Sequence, residues 1–219
     1  MIGRQPELHA PKPRALSISQ STEMGTIYRP EEMAALAGFA RAHKLFLQID
    51  GARFANAVAA LNCAPREISW EVGADVLCFG GTKNGAGAGE LVIFFKKDLA
   101  LEFDYRLKQA GQLASKMRFL AAPWTALLAD GVWLRNAARA NEGARKLAER
   151  LESMGTIEVV FPVEANALFL RLPPERADDL RARGWHFYKF IEPDVYRLMC
   201  SWSVKDDDID KLVAALRAR

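Results

Sequence analysis

Apolar and polar positions change their period several times along the chain, and each change marks an element. Arg14 to Ser19 reads as a short strand after a polar start. Pro30 then opens a predicted helix over Glu31–Lys44, a fitting first position because its missing N–H would have no helical partner there. Met33, Leu36, Ala37 and Ala40 recur at three-to-four spacing and give that helix one apolar face. Leu45 to Ile49 is a short apolar run, the mark of a strand buried on both faces, and it ends in Asp50-Gly51. Phe54–Leu61 is again helical in pattern. Ala74–Phe79 is a second buried strand, stopped by Gly80-Gly81, and Leu91–Phe95 is a third. Strands alternating with helices predict a parallel sheet covered by helices, whose ligand crevice lies outside the carboxyl ends of the strands. Two polar segments fall at such ends, Asp50-Gly51-Ala52-Arg53 and Gly80 to Gly85.

The pattern from Phe103 to Met154 is helical, with a break expected near Pro123 and a stop at Gly155. Ile157–Phe161, Asn166–Leu172 and Val195–Ser201 read as strands, with helices at Glu175–Arg183 and Asp206–Arg217. The expected organisation is an α/β part over residues 1–112, followed by linker helices and a small α+β domain over 113–219.

Composition narrows the function classes. The chain has 219 residues, half of them apolar, and 30 basic against 27 acidic side chains. Such a balance carries no electrostatic footprint for nucleic acid. No apolar run approaches the ~18 residues of a membrane span, and Met1 to Arg14 has no apolar core of a secretory signal, so a cytoplasmic protein is expected. Cys63, Cys78 and Cys200 are scattered and odd in number, which suits reduced thiols. His9, His43 and His186 show no metal-ligand spacing, so no metal is expected.

The chemistry concentrates at two strand ends. Lys83 lies among Gly80, Gly81, Gly85, Gly87 and Gly89, small residues that let a planar ligand approach the backbone. A lysine desolvated there has a lowered pKa and becomes an imine-forming nucleophile; alone, the same segment also reads as a solvated turn. Asp50 follows a buried strand and needs a partner for its charge. A protonated pyridine nitrogen is one such partner, the usual tuning device for pyridoxal phosphate; capping the helix that follows is its other reading, and the two are compatible. Arg53 could fork onto a carboxylate in the same crevice, or sit on the surface. Thr82 offers a hydroxyl to a phosphate oxygen, or forms the turn. Asn84 and Glu90 read as a turn residue and a strand-edge charge.

These residues also carry a resemblance. I-D-G-A-R-F-A-N-A, D-V-L-C-F-G-G-T-K-N-G and G-E-L-V-I-F-F, in this order, resemble the low-specificity threonine aldolase family. The likeness continues through Q-L-A-S-K-M-R-F-L-A-A, D-G-V-W-L-R-N-A, N-A-L-F-L-R-L, R-G-W-H-F-Y and Y-R-L-M-C-S-W, so it covers nearly the whole chain from Ala15. It implies a pyridoxal 5'-phosphate enzyme of fold type I: a large domain with a mostly parallel sheet, plus the α+β small domain. It implies that Lys83 forms the Schiff base, that Asp50 pairs with the pyridinium, and that Arg53 and Arg197 hold the substrate carboxylate. Retro-aldol cleavage of threonine or allo-threonine to glycine and an aldehyde is then expected, in a homo-oligomer. Another lyase of the same fold and a catalytically inactive remnant are the alternatives.

The resemblance also carries departures. Family members have about a third more chain ahead of this region, supplying a Gly/Ser-rich phosphate turn, a histidine that stacks on the pyridine ring, and the first strands. A truncated form, or one completed from elsewhere, is therefore expected. Ser21-Thr22-Glu23 stands where other branches place a histidine near the substrate. No side chain is offered as the base, which leaves a bound water or the cofactor phosphate.

Overall fold

The computed structural model describes residues 11–217; His9 and most of the polar start lie outside them. Four strands, β1 (Ala15–Ser19), β2 (Phe46–Gly51), β3 (Val76–Gly80) and β4 (Glu90–Phe94), form one sheet in that order. β1, β2 and β3 are parallel, with Ser19 beside Asp50 and Asp50 beside Cys78. β4 runs antiparallel to β3, against the expectation of a parallel third strand. Only Gly81 to Gly89 joins them, with a 3-10 turn at Thr82–Asn84, and that is too short for a parallel crossover.

Helices α1 (Pro30–Ala42) and α2 (Phe54–Leu61) pack on one face of this sheet. Pro30 opens α1, and the Glu32 carboxylate accepts the Arg29 N–H at 2.6 Å, satisfying a donor that helix geometry leaves free. α2 ends where Asn62 turns left-handed. Leu47, Ile49, Leu77 and Phe79 point into the core, where the Phe79 ring meets Phe54, Trp124 and Trp133 at centroid distances of 5.8, 5.3 and 5.4 Å. Burying each such side chain stabilises the fold by about 1.5–3 kcal/mol. The alternate positions Ser17, Gln48, Asp50, Cys78 and Val92 are exposed or half-buried. The strands are therefore buried on one face, not on both as their apolar runs suggested.

Beyond the sheet come α3 (Phe103–Gln109), α4 (Arg118–Leu128) and the 21-residue α5 (Val132–Glu152). The break expected at Pro123 is elsewhere. Pro123 sits inside α4, and Phe119, whose carbonyl it leaves without a helical donor, is an exposed residue. The chain turns instead at Asp130 and Gly131, both with positive φ, and at Gly111 and Lys116. α5 serves both cores: Trp133 and Ala137 pack with the first sheet, Ala144, Leu147 and Leu151 with the second.

The second sheet is antiparallel, in the order β5 (Glu158–Val159), β6 (Ala167–Arg171), β8 (Val195–Met199) and β7 (Tyr188–Ile191). α6 (Pro174–Ala182) and α7 (Asp206–Arg217) accompany it. β7 was not expected. It is a short edge strand with an irregularity between Lys189 and Ile191, too brief for its period to stand out.

Candidate active site

Asp50 and Lys83 occupy the carboxyl ends of neighbouring parallel strands. Gly80 brings them together: a Cβ on it would lie 2.6 Å from the Ala52 carbonyl oxygen, so only glycine lets the end of β3 pass the turn after Asp50 this closely. Gly81 repeats the device against Trp124, whose ring a Cβ would meet at 2.4 Å. Asp50 Oδ1 accepts the Ala52 N–H at 3.0 Å, and this bond orients the carboxylate.

Both side chains are exposed, which corrects two expectations. Asp50 is not a buried charge in need of rescue, and Lys83 is not desolvated by this chain's own atoms. The exposure of Asp50 follows from the one-sided sheet, since its face carries no helix among the described residues; Lys83 lies beyond β3, exposed in the turn at Thr82–Asn84. Glu90 is more than an edge charge. Its carboxylate accepts the Gly81 N–H at 2.9 Å and the Thr82 N–H at 3.4 Å. A phosphate on the exposed Thr82 hydroxyl would therefore have a carboxylate for a neighbour.

Arg53 and Arg197 form a second cluster. Arg53 caps α2, and its Nη2 lies 4.0 Å from Met199 Sδ on β8. Burial, then the Arg197 charge, press its pKa below the ordinary guanidinium value, while Glu23 and Asp50 pull it back. The strand-end turn, the 20–29 segment and β8 thus act on one another's charges. Arg197 projects from β8 with its guanidinium 4.7 Å from the ring centroids of both Tyr188 and Phe190, which β7 presents on one face. Its side chain is 13% exposed, its Nη1 contacts Glu23 Oε2 at 3.2 Å, and its Nε is buried with no partner.

Glu23 is placed by the segment before α1. Gln20 clasps Tyr28 through both backbone groups at 2.8 and 3.1 Å, and Glu164 accepts from Ile27 N–H at 2.7 Å and from Arg29 at 2.8 Å. Neither Glu23 as a partner of Arg197 nor the aromatic pair around it was anticipated. The alternation of Tyr188 and Phe190 was the available signal.

The beta-eliminating lyase family profile matches residues 1–173. The chain belongs to the beta-eliminating lyase family. It is 53% identical to the low specificity L-threonine aldolase of Pseudomonas aeruginosa over 209 residues, covering 95% of this chain and 60% of that protein. It is 50% identical to the low specificity L-threonine aldolase of another Pseudomonas over 215 residues, covering 98% and 62%. Among solved structures, the threonine aldolase of Leishmania major superposes with a TM-score of 0.89 at 26% identity, over 99% of this chain and 64% of that one. A putative L-allo-threonine aldolase from Listeria monocytogenes shares the fold, with a TM-score of 0.69 at 18% identity, over 91% of this chain and 59% of that one. The chain thus spans about 60% of the length of the curated relatives it matches. This family member has no helix long and apolar enough to cross a membrane among its described residues.

Proposed function

We propose that this chain carries the lysine-bearing part of a pyridoxal-phosphate site that cleaves β-hydroxy amino acids, threonine above all, to glycine and an aldehyde. The observation that carries the reading is the meeting of the Asp50 and Lys83 turns, pressed together where Gly80 passes Ala52. Kinship with the two aldolases supports the reaction class. The residues fit the cofactor: an exposed amine and an exposed carboxylate stand at the ends of adjacent strands. When bound, the cofactor supplies a covalent hold on the substrate amine and a sink for the electrons of the broken bond.

The chain's own residues divide the remaining work. Lys83 Nζ would anchor the cofactor, the Asp50 carboxylate would keep the ring nitrogen protonated, and Thr82 would offer its hydroxyl to the phosphate against the unfavourable charge of the neighbouring Glu90 carboxylate. Arg197, with its idle Nε, takes the substrate carboxylate, and Arg53 adds a second guanidinium. Glu23 holds Arg197 until a carboxylate replaces it. A second reading, β-elimination, is favoured by the family profile's own description.

The test is incubation of the purified chain with pyridoxal phosphate and threonine. Glycine and acetaldehyde in equal amounts are expected. Ammonia and a 2-oxo acid without glycine would overturn aldol cleavage in favour of elimination. Arg197→Ala should raise the KM for threonine about ten- to a hundredfold, the worth of a charge-assisted bond; an unchanged KM would remove Arg197 from the carboxylate site.

We also propose a homo-oligomer. α3 buries no residue, and Leu101 and Tyr105 are 80% and 73% exposed, with Leu113 and Phe119 also exposed further along the same stretch of chain. Large apolar side chains exposed along one stretch of chain support an interface there. Size-exclusion chromatography should give a mass at least twice the 24.4 kDa of the chain, and a monomer would refute it.

A further inference from the structure

Lys83 sits in a turn with little to hold it. Thr82–Asn84 is a single 3-10 turn, closed by Asn84 N–H to the Gly81 carbonyl at 2.9 Å and by Ala86 N–H to the same carbonyl at 3.0 Å. Its anchor comes from far along the chain. Asn84 is 4% exposed and donates through Nδ2 to the Trp133 carbonyl at 2.8 Å. Asn136, one turn further along α5, donates through Nδ2 to the Asn84 carbonyl at 2.9 Å. A Cβ on Gly85 would meet that same Asn136 Nδ2 at 3.0 Å and the Trp202 ring at 3.6 Å, so the turn is seated between α5 and the residues after β8. α5 is packed into both cores and cannot shift alone.

We infer that Asn84 and Asn136 are positioning residues for Lys83. Together they fasten the residue after the lysine to the helix shared by both cores, and so fix where the lysine Cα stands relative to Asp50. The role rests on the reading of Lys83 as the cofactor lysine. The same helix supplies a control. Asn141 donates to the Asn56 carbonyl at 2.9 Å and accepts from Asn56 Nδ2 at 2.9 Å, equivalent chemistry that holds α2 instead of the lysine turn.

Amide hydrogen exchange across residues 81–86 tests the fastening without any cofactor. Asn136→Ala should speed exchange there by up to about tenfold, the loss of one hydrogen bond, while Asn141→Ala should leave that segment at the native rate. Asn136→Asp keeps the size but removes the donor, and should behave as the alanine variant does; it stands in if the alanine variant fails to fold. With pyridoxal phosphate and borohydride, the Asn136 variants should attach the cofactor to Lys83 more slowly than the Asn141 variant. Exchange unaltered in both Asn136 variants, or altered equally by Asn141→Ala, would overturn the inference. A native chain whose adduct forms at another lysine overturns the reading of Lys83, and the exchange result still decides the fastening.

Discussion

Lys83→Ala is expected to leave no pyridoxyl group on the chain after reduction with borohydride, and to abolish threonine cleavage. The argument is one of placement. An imine to the cofactor needs an amine at the carboxyl ends of the parallel strands, beside Asp50. Lys44 precedes β2, at the opposite end of the sheet. Lys96 follows β4, whose end pairs back to the start of β3, where the Phe95 N–H donates to the Asp75 carbonyl. The Lys96 amine there stacks on the Phe46 ring, 4.8 Å from its centroid. Crossing a five-residue strand at ~3.3 Å per residue puts such lysines roughly 16 Å from the Asp50 end. Peptide mass mapping after reduction reads the result directly. A pyridoxyl adduct on Lys44, Lys96 or Lys97 in the variant, at native yield, would show that the lysine has been misassigned.

The elements that were legible in the sequence are those whose local chemistry and tertiary role agree. Phe54–Leu61 and Asp206–Arg217 have the bounds their periodicity predicts, because each is an amphipathic run closed by its own end signals. The kink at Asp130 and Gly131 was hidden because proline is the louder local signal, yet Pro123 lies where its neighbour's freed carbonyl is on an exposed residue. Pairing direction was hidden as well: Leu91–Phe95 looks like any buried strand, and only the shortness of the link to β3 turns it around. At the candidate site, Asp50, Arg53, Thr82 and Lys83 are singled out by glycine spacing and strand ends, and the structure places them at and just beyond the ends of β2 and β3. The exposure of Asp50 was not legible, since an apolar run such as Leu45–Ile49 does not say that Gln48 and Asp50 share a face without a helix. Contacts between distant segments, Glu23 with Arg197 and Asn136 with Asn84, have no local signature at all.

Asp50→Asn is expected to keep the adduct at Lys83 and to lose about a hundredfold in threonine turnover. The substitution is mild for the fold. The introduced amide would retain an oxygen to accept the Ala52 N–H, the one hydrogen bond the Asp50 side chain makes among the described residues, and the site is exposed, so no buried group loses its partner. What goes is the charge. A carboxylate against a pyridine nitrogen holds it protonated, and a protonated ring accepts electrons that a neutral ring does not. A neutral amide supplies no such pull, and losing one member of a charge-assisted pair costs up to about 3 kcal/mol, about a hundredfold in rate. Arg53 responds in the same direction. Asp50 is one of the two charges that hold the guanidinium up against its burial, so the variant leaves Glu23 alone in that role beside Arg197. Threonine KM should therefore move less than kcat, which separates loss of the ring partner from damage to the carboxylate site. Native turnover in a variant that still traps cofactor on Lys83 would remove Asp50 from the chemistry.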